Sequence, residues 1–566
     1  MTVPRQIQLR LISDFNTANF DALLKNDKAN PGIEVHSAPF GQVKQQLLLE
    51  EGWEATESAI VWTRPESAID EFRKIKEYES VDEEQLLAAV DGYAAALIAA
   101  STRVRFLFIP TWVMSPHRRM YSLLDWRENL GVTRALQNMN IRLAKKLDLL
   151  PNVVMMNAQV WVDRAGETAF SEKMWYLSKT PYTQGVFRQA VNDVKSCLRG
   201  LLGESRKLVI LDLDDTLWAG IVGDVGWENL ILGGHDAVGE ALVDFQRELK
   251  AMTRRGVLLA VVSKNDERIA LEAIRLHPEM VLRVEDFAGW RINWQDKAEN
   301  IVSLVSEMNL GLQSVVFIDD NPAERSRIRE ALPEVLVPEW PMEKTSYPQA
   351  FRMLDCFNVA AVTDGDAKRT DLYLVERERD SLRRSLPTLI EWLQSLQMKV
   401  VVEPLTKGNL PRAVQLLNKT NQMNLSTRRL SEKEAWDWAQ NPGRRFWTIS
   451  IVDRFGDLGL TGILSVEEDA SELHVVDFVL SCRVMGRRVE EIMLHCAVTY
   501  SCRRGLELLR AKFVPTLKNK PCLEWLQKCG LSEIVPNNFI WKMIREFPLP
   551  EGIQAEFRED FRGGDS

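Results

Sequence analysis

Three aspartates crowd the end of one apolar run, LVILDLDDTLW (208–218): Asp212, Asp214 and Asp215 follow residues that belong in a buried strand. A strand covered on both faces has no use for carboxylates in its interior, so acids at its end belong to a sheet edge. Residues two apart on a strand face the same side, so Asp212 and Asp214 are expected to converge at the carboxyl edge, where open α/β sheets bind ligands. Like charges gathered there repel unless a divalent cation neutralises them, and an all-oxygen set suits Mg2+. Two further apolar runs also end in polar clusters, VLLAVVSKN in Ser263-Lys264-Asn265 and SVVFIDDN in Asp319-Asp320-Asn321, and Lys297 opens a helical segment between them. The competing reading is that strand-end aspartates cap the loops and helices that follow. It suits a single D-x-D better than several motifs in order.

A second candidate is Cys482, in VVDFVLSCRVMGRRVEEIMLHCAV, where a strand is expected to pass into a helix starting near Val484. A thiol at a helix N-terminus beside Arg483, Arg487 and Arg488 is favoured as thiolate. A buried small hydrophobe is the equal alternative. The seven cysteines are an odd count with no C-x-x-C pair, so neither a disulfide framework nor a zinc ribbon is indicated. The six histidines show no ligand spacing. NKTNQMNLSTRR (418–429), dense in amides and hydroxyls before a helix start, reads either as a capping loop or as a substrate loop.

The elements that must position these groups follow from hydrophobic period. Residues 1–195 mix short apolar runs (IQLRLISDF, SAIVWT, RVRFLFIP, NVVMMNAQVWV) with helical patterns such as 82–100. From Lys207, LVILDLDD, VLLAVVSKN, MVLRVE, SVVFIDDN and VLVPEW read as strands of a parallel sheet separated by helices, one of which carries Val238, Leu242, Phe245, Leu249 and Met252 on one stripe. An Arg/Glu-rich helical connector over 368–397 leads to strands at 446–452, 459–466 and 473–480, an antiparallel meander joined by DRFGD and EDASE. The expected fold is α/β and multidomain. Its parts are an α/β domain at 1–195, a parallel-sheet domain at 200–345, a connector at 346–397, a mixed α/β domain at 398–548 and a tail at 549–566.

At 566 residues the chain is too long for one core, and 45% hydrophobic with 27% charged residues is ordinary globular composition. Acidic residues exceed basic by 80 to 71, which argues against a broad nucleic-acid or membrane surface. Arg483, Arg487, Arg488, Arg503, Arg504, Arg510 and Lys512 nevertheless suggest a local basic face in the C-terminal part, with a solvated helix face as the alternative. The start has no signal-peptide order, and the most apolar stretch, 86–100, is interrupted by Asp91, so a cytoplasmic location is expected.

The motifs D-x-D-x-T (212–216), Ser263, Lys297 and the Asp319-Asp320 pair together resemble those of the haloacid-dehalogenase (HAD) superfamily of phosphotransferases. The resemblance implies that Asp212 attacks phosphorus, that Asp214 is general acid and base, and that Thr216, Ser263, Lys264, Asn265 and Lys297 serve the phosphoryl group. It also implies an Mg2+ site of Asp212, Asp214 (through its backbone carbonyl), Asp319 and Asp320. Residues 217–256 leave little room for a lid, as in a capless member. The 482–488 turn is similar to the R/Q-x-x-G-x-G/A loop of GNAT acyltransferases, whose amides hold the pyrophosphate of coenzyme A; Arg483 and Gly486 match and Arg488 departs from it. Asn519, Trp525 and 528–531 loosely resemble that fold's later pattern.

From about 170 to 535, LDLDDTLWAGIVGDVG, VVSKND, FIDDNPAER, NKTNQMNLSTRR and SCRVMGRRVE together resemble the FkbH-like glyceryl-acyl-carrier-protein synthases. This implies a transferase that takes 1,3-bisphosphoglycerate, removes phosphate, and loads the glyceryl unit onto the phosphopantetheine thiol of an acyl carrier protein for polyketide-type synthesis. Cys482 would be the acyl way-station, with Asn421 and Arg428 in a substrate loop. The N-terminal part resembles the SGNH-hydrolase-type domain of long members. Its Ser13-Asp14 has no later D-x-x-H to supply a base, so a docking or covering role is expected. The main alternative is two independent activities, a phosphatase and a coenzyme-A-dependent N-acetyltransferase; a third reading is a non-catalytic carrier-docking scaffold.

Overall fold

A computed structural model describes residues 6–49, 52–117, 123–308, 310–359, 379, 382–383, 386–516, 519–543 and 546–558, and of Cys482 the backbone. The chain divides into two compact units, Met1–Arg206 with Gln349–Val362, and Lys207–Pro348 with Thr363–Ser566.

The first unit is built on β1 (Gln6–Ser13), β2 (Gly32–Ser37), β3 (Ser58–Trp62), β4 (Phe106–Pro110) and β5 (Val153–Met156), in the order β2-β1-β3-β4-β5. Every pair is parallel. β3 and β4 are buried along their whole length, as a sheet with helices on both faces requires. The helix expected over 82–100 is Glu83–Ser101, started by Asp82, whose carboxylate accepts the amides of Glu84 and Gln85. The run NVVMMNAQVWV splits, because the Asn157 side chain accepts the Gln159 amide and caps a helix, Ala158–Ala165. The strand order is that of a doubly wound flavodoxin-like sheet, with its reversal between β1 and β3.

In the second unit, β6 (Leu208–Leu211), β7 (Leu258–Ser263), β8 (Phe287–Ile292) and β9 (Val315–Ile318) form a parallel sheet ordered β8-β7-β6-β9. Two expected strands are corrected. MVLRVE is not a strand: the buried Gln246 side-chain carbonyl accepts the amides of Val281 and Leu282, so a side chain satisfies the backbone that a neighbouring strand would have paired. The third strand is instead FAGWRI. VLVPEW contributes one bridge, Leu336 beside Val316, before Pro338 ends the pairing. The stripe on helix Ala237–Thr253 buries Leu242, Phe245 and Leu249, while Val238 and Met252 stay partly exposed.

The same unit holds a nine-stranded mixed sheet: β10 (Lys399–Pro404), β11 (Met423–Asn424), β12 (Arg444–Asp453), β13 (Gly456–Asp469), β14 (Glu472–Leu480), β15 (Leu508–Lys512), β16 (Ser532–Val535), β17 (Asn538–Lys542) and β18 (Gln554–Phe557). Its order is β16-β17-β15-β14-β13-β12-β10-β18, with β11 beside β14. The meander β12-β13-β14 is antiparallel, and β14 pairs parallel with β15. This is the mixed α/β fold expected there. Residues 360–378, 380–381 and 384–385 of the expected connector lie outside the described residues, and its end forms the helix Leu389–Leu396. Among the described residues no helix is long and apolar enough to cross a membrane.

Candidate active site

β6 and β9 are neighbours in register, Leu208 beside Val315 and Leu211 beside Ile318, so the residues that follow them, Asp212 and Asp319, emerge side by side. This is where the strand order reverses, and there ligands of open α/β sheets bind. Asp212, Asp319 and Asp320 each bring a carboxylate oxygen within 4.8 Å of the others. Asp296 caps the helix Lys297–Glu307 and fixes Lys297 in its first turn. Its ammonium lies 2.6 Å from Asp319 Oδ2 and 3.0 Å from Asp212 Oδ1. Asp212, Asp319 and Lys297 are all buried.

Burial raises the Asp212 carboxyl above the usual range, against the pull of Lys297 and Ser263. Burial, then repulsion from Asp212, raises Asp319. Burial, then the charges of Asp319 and Asp215, raises Asp320. Burial alone would lower the Lys297 amine, but the two carboxylates outweigh it and the net direction is up. One ammonium therefore stands against two of three crowded carboxylates, 3.0 Å from Asp212 and 2.6 Å from Asp319. A hard divalent cation with oxygen ligands fits this donor set.

The Asp214 carboxylate is not in this cluster, which corrects the expectation that it converges with Asp212. The strand stops at Leu211, so its two-residue alternation does not reach the acids. Asp214 Oδ1 accepts Trp218 Nε1 (2.8 Å) and the Val222 amide (3.1 Å), and Oδ2 accepts Asn265 Nδ2 (2.8 Å). Burial raises its pKa against these donors. Any share Asp214 takes in a metal site falls to its backbone carbonyl. The Thr216 hydroxyl donates to Asp320 Oδ1 (3.3 Å) and accepts the Asp320 amide (3.2 Å), tying the first motif to the last. Lys264 pairs outward with Glu324 at 2.7 Å, its side chain 41% exposed, and does not join the cluster.

Sequence reasoning missed two residues here. Arg325, buried, donates to the carbonyl oxygens of Asp319 (2.9 Å) and Asp320 (2.6 Å), and Trp218 binds Asp214. An arginine one turn into the helix that follows the acids was the available signal for the first.

The other expected residues belong to the nine-stranded sheet. The helix after β14 starts at Val489, not near Val484, and residues Cys482–Val484 form a single 3-10 turn. Gly486 at φ +74° and Arg488 at φ +60° take left-handed backbone before the helix begins. The Gly486 amide donates to Glu490 Oε1 at 2.9 Å, and Glu490 is buried. Arg483 Nε reaches Ser481 Oγ at 3.4 Å.

The expected basic face is largely neutralised. Arg487 is buried 3.7 Å from Asp453, Arg488 pairs with Glu491, Arg504 with Glu468 and Arg510 with Glu472. Arg428 binds the buried Asp477 and lies over Trp438, and Asn421 accepts from Arg429. The Cys482 side chain lies outside the described residues.

No protein-family model matches the chain, and no curated protein matches it. The chain is similar to the N-terminal part of a Bacteroides fragilis protein, which contains a phosphatase domain and was solved in complex with Mg. The identity is 25%, over 63% of this chain and 95% of that one, with a TM-score of 0.58. The shared fold is α/β. A GNAT-family acetyltransferase from Staphylococcus aureus matches over 25% of this chain and 99% of its own, at 8% identity and a TM-score of 0.21. A spermidine N-acetyltransferase from Vibrio cholerae, in complex with CoA and spermine, matches over 25% and 95%, at 15% identity and a TM-score of 0.20.

Proposed function

We propose that this chain is a phosphatase and acyltransferase that takes 1,3-bisphosphoglycerate, removes phosphate, and loads the glyceryl unit onto the phosphopantetheine thiol of an acyl carrier protein. The observation that carries the phosphoryl half is the convergence of Asp212, Asp319 and Asp320, with the Lys297 ammonium against the first two. Asp212, Asp319, Asp320 and the Asp214 carbonyl would hold Mg2+, which when bound supplies charge neutralisation for the phosphoryl oxygens. The Mg-bound phosphatase part of the similar Bacteroides fragilis protein supports this reading.

Chemistry assigns the two phosphates to different fates. Attack on the phosphorus of the acyl phosphate would release an unactivated carboxylate and waste the group transfer. Asp212 therefore attacks the ester phosphate. The departing alkoxide takes its proton from Asp214, and Asp214 takes one back from the water that hydrolyses the aspartyl-phosphate. A thiolate attacks the carbonyl carbon at the other end and inorganic phosphate leaves, giving a thioester that exchanges with the carrier thiol.

Cys482 is the proposed thiol. Its rivals are poorly placed: burial pushes Cys197, Cys356 and Cys522 up to about 12 and Cys529 up to about 11, raises Cys502 as well, and Cys496 lies in the core. A carrier-borne arm also suits the Gly486 turn better than coenzyme A does, since Glu490 already holds the Gly486 amide that a pyrophosphate would seek. This favours the carrier reading over an independent N-acetyltransferase. The N-terminal unit is proposed to dock or cover, since Ser13 is buried with its Oγ accepting the Phe15 amide.

Intact-mass analysis of a carrier protein incubated with the chain, Mg2+ and 1,3-bisphosphoglycerate tests the proposal. A glyceryl increment on the carrier is expected. Phosphate release without any increment would leave only a phosphatase.

A further inference from the structure

Asp215 stands between Asp214 and Thr216 and takes φ +57°, a left-handed conformation that aspartate tolerates but does not prefer. Both ends of this residue are held. Its Oδ1 accepts the Gly220 amide at 3.1 Å and lies 3.1 Å from Lys344 Nζ. Its backbone carbonyl accepts the Tyr347 hydroxyl at 3.3 Å. Lys344 and Tyr347 come from the turn Lys344–Ser346 and the helix after it, outside the motifs read for this site.

That segment is itself anchored. Tyr347 is 1% exposed and packs with Trp340 and Phe245, the ring centroids 5.2–5.9 Å apart. Burial, then the charges of Asp320 and Asp215, push the Tyr347 phenol up, so it stays a donor.

We propose that Tyr347 and Lys344 are positioning residues for the phosphoryl site: by holding Asp215 they fix the turn that sends the Asp214 carboxylate one way, onto Trp218 and Asn265, and the Thr216 hydroxyl the other, onto Asp320. Neither residue touches the reacting atoms. Their effect passes through the placement of Asp320, hence on Mg2+ affinity, and of Asp214, hence on kcat. The inference rests on the reading of this site as an Mg2+-dependent phosphatase.

The test uses the full chain, Mg2+ titration calorimetry, and hydrolysis of para-nitrophenyl phosphate. Tyr347→Phe keeps the ring packing and the charge while removing the one hydrogen bond. It is expected to weaken Mg2+ binding and lower kcat by about tenfold each, as loss of an outer-shell partner does, with KM within about twofold and Tm unchanged within about 2 °C. Lys344→Met should lower kcat similarly, and Lys344→Arg should restore it.

Wild-type Mg2+ affinity and kcat in Tyr347→Phe, or a kcat that falls only together with Tm, overturns the inference while leaving the phosphatase reading intact. A wild-type chain that neither binds Mg2+ nor releases phosphate overturns that reading and the inference with it.

Discussion

Two parallel sheets in this chain each place an aspartate where the strand order reverses, and they use it in opposite ways. In the N-terminal unit Asp14 follows β1 and is paired with Arg64, just beyond β3, although burial still raises its carboxyl above the usual range. The Arg64 amide donates at 3.0 Å and its Nε at 3.1 Å, and the guanidinium is stacked 3.9 Å from the Trp175 ring centre. The helix carrying Trp175, Glu172–Ser178, is followed by its cap Lys179, whose carbonyl accepts the Asn16 amide, so the edge after β1 is covered by the unit's own chain. At the β6/β9 edge three carboxylates meet one ammonium. Position at a reversal point therefore does not make a site. The imbalance of charge and donors left there does, because a paired acid is structure and an unbalanced cluster calls for a cation.

The contrast can be broken most sharply by substitution. Asp212→Asn keeps the shape and removes the proposed nucleophile, so phosphate release should fall by about a thousandfold or more, while Asp14→Asn should leave it unchanged. Comparable losses in both would erase the distinction between the two edges.

Cys482→Ser should stop carrier acylation and leave hydrolysis of simple phosphate esters at the wild-type rate, with Cys496→Ser and Cys502→Ser still acylating. Carrier acylation that persists in Cys482→Ser, or a glyceryl adduct mapped to another cysteine, would move the thiol elsewhere.

Asp14→Asn should instead cost stability, about 2 kcal/mol in the first unit's denaturant transition, through loss of its charge-assisted bonds to Arg64. No change in that transition would show that the covered edge is not held by this pair.

The smallest effect is expected at Asp91, partly exposed and held down to about 2, chiefly by its hydrogen bonds from Arg142. A folded value below the unfolded one of about 3.9 means stability that is present above that pH and lost as pH falls through about 2. Asp91→Asn should therefore cost under about 1 kcal/mol at neutral pH, and the cost should shrink to a small part of that at pH 2, read from urea curves at both. A cost undiminished at pH 2 would show that charge is not its source.

The parts of this architecture that could be read in the sequence were those where one residue type decides the matter locally. Apolar runs ending in Asp212 and in Asp319-Asp320 announced two strand ends, and three apolar runs over 446–480 joined by DRFGD and EDASE announced the meander. What stayed hidden acts across sequence distance. Gln246 satisfies the backbone at Val281 and Leu282 and so turns an apolar run into a non-strand. Gly289 and Arg291 disguised the real strand beside it. Lys344 and Tyr347 reach back to Asp215 from far along the chain, and no periodicity marks them. The delayed helix at Val489 depends on left-handed backbone at Arg488, a residue type that gives no sign of it. Charge density misled in the arginine-rich segment, because partners such as Glu468 and Glu472 are adjacent only after folding.

Mg2+ titration calorimetry on the full chain, with Asp319→Asn and Asp14→Asn beside the wild type, tests the central claim most directly. One Mg2+ should bind to the wild type and to Asp14→Asn with the same affinity, and binding should be lost in Asp319→Asn. Equal binding by the wild type and Asp319→Asn, or no binding by the wild type, would contradict the assignment of the unbalanced carboxylates as the metal-dependent site.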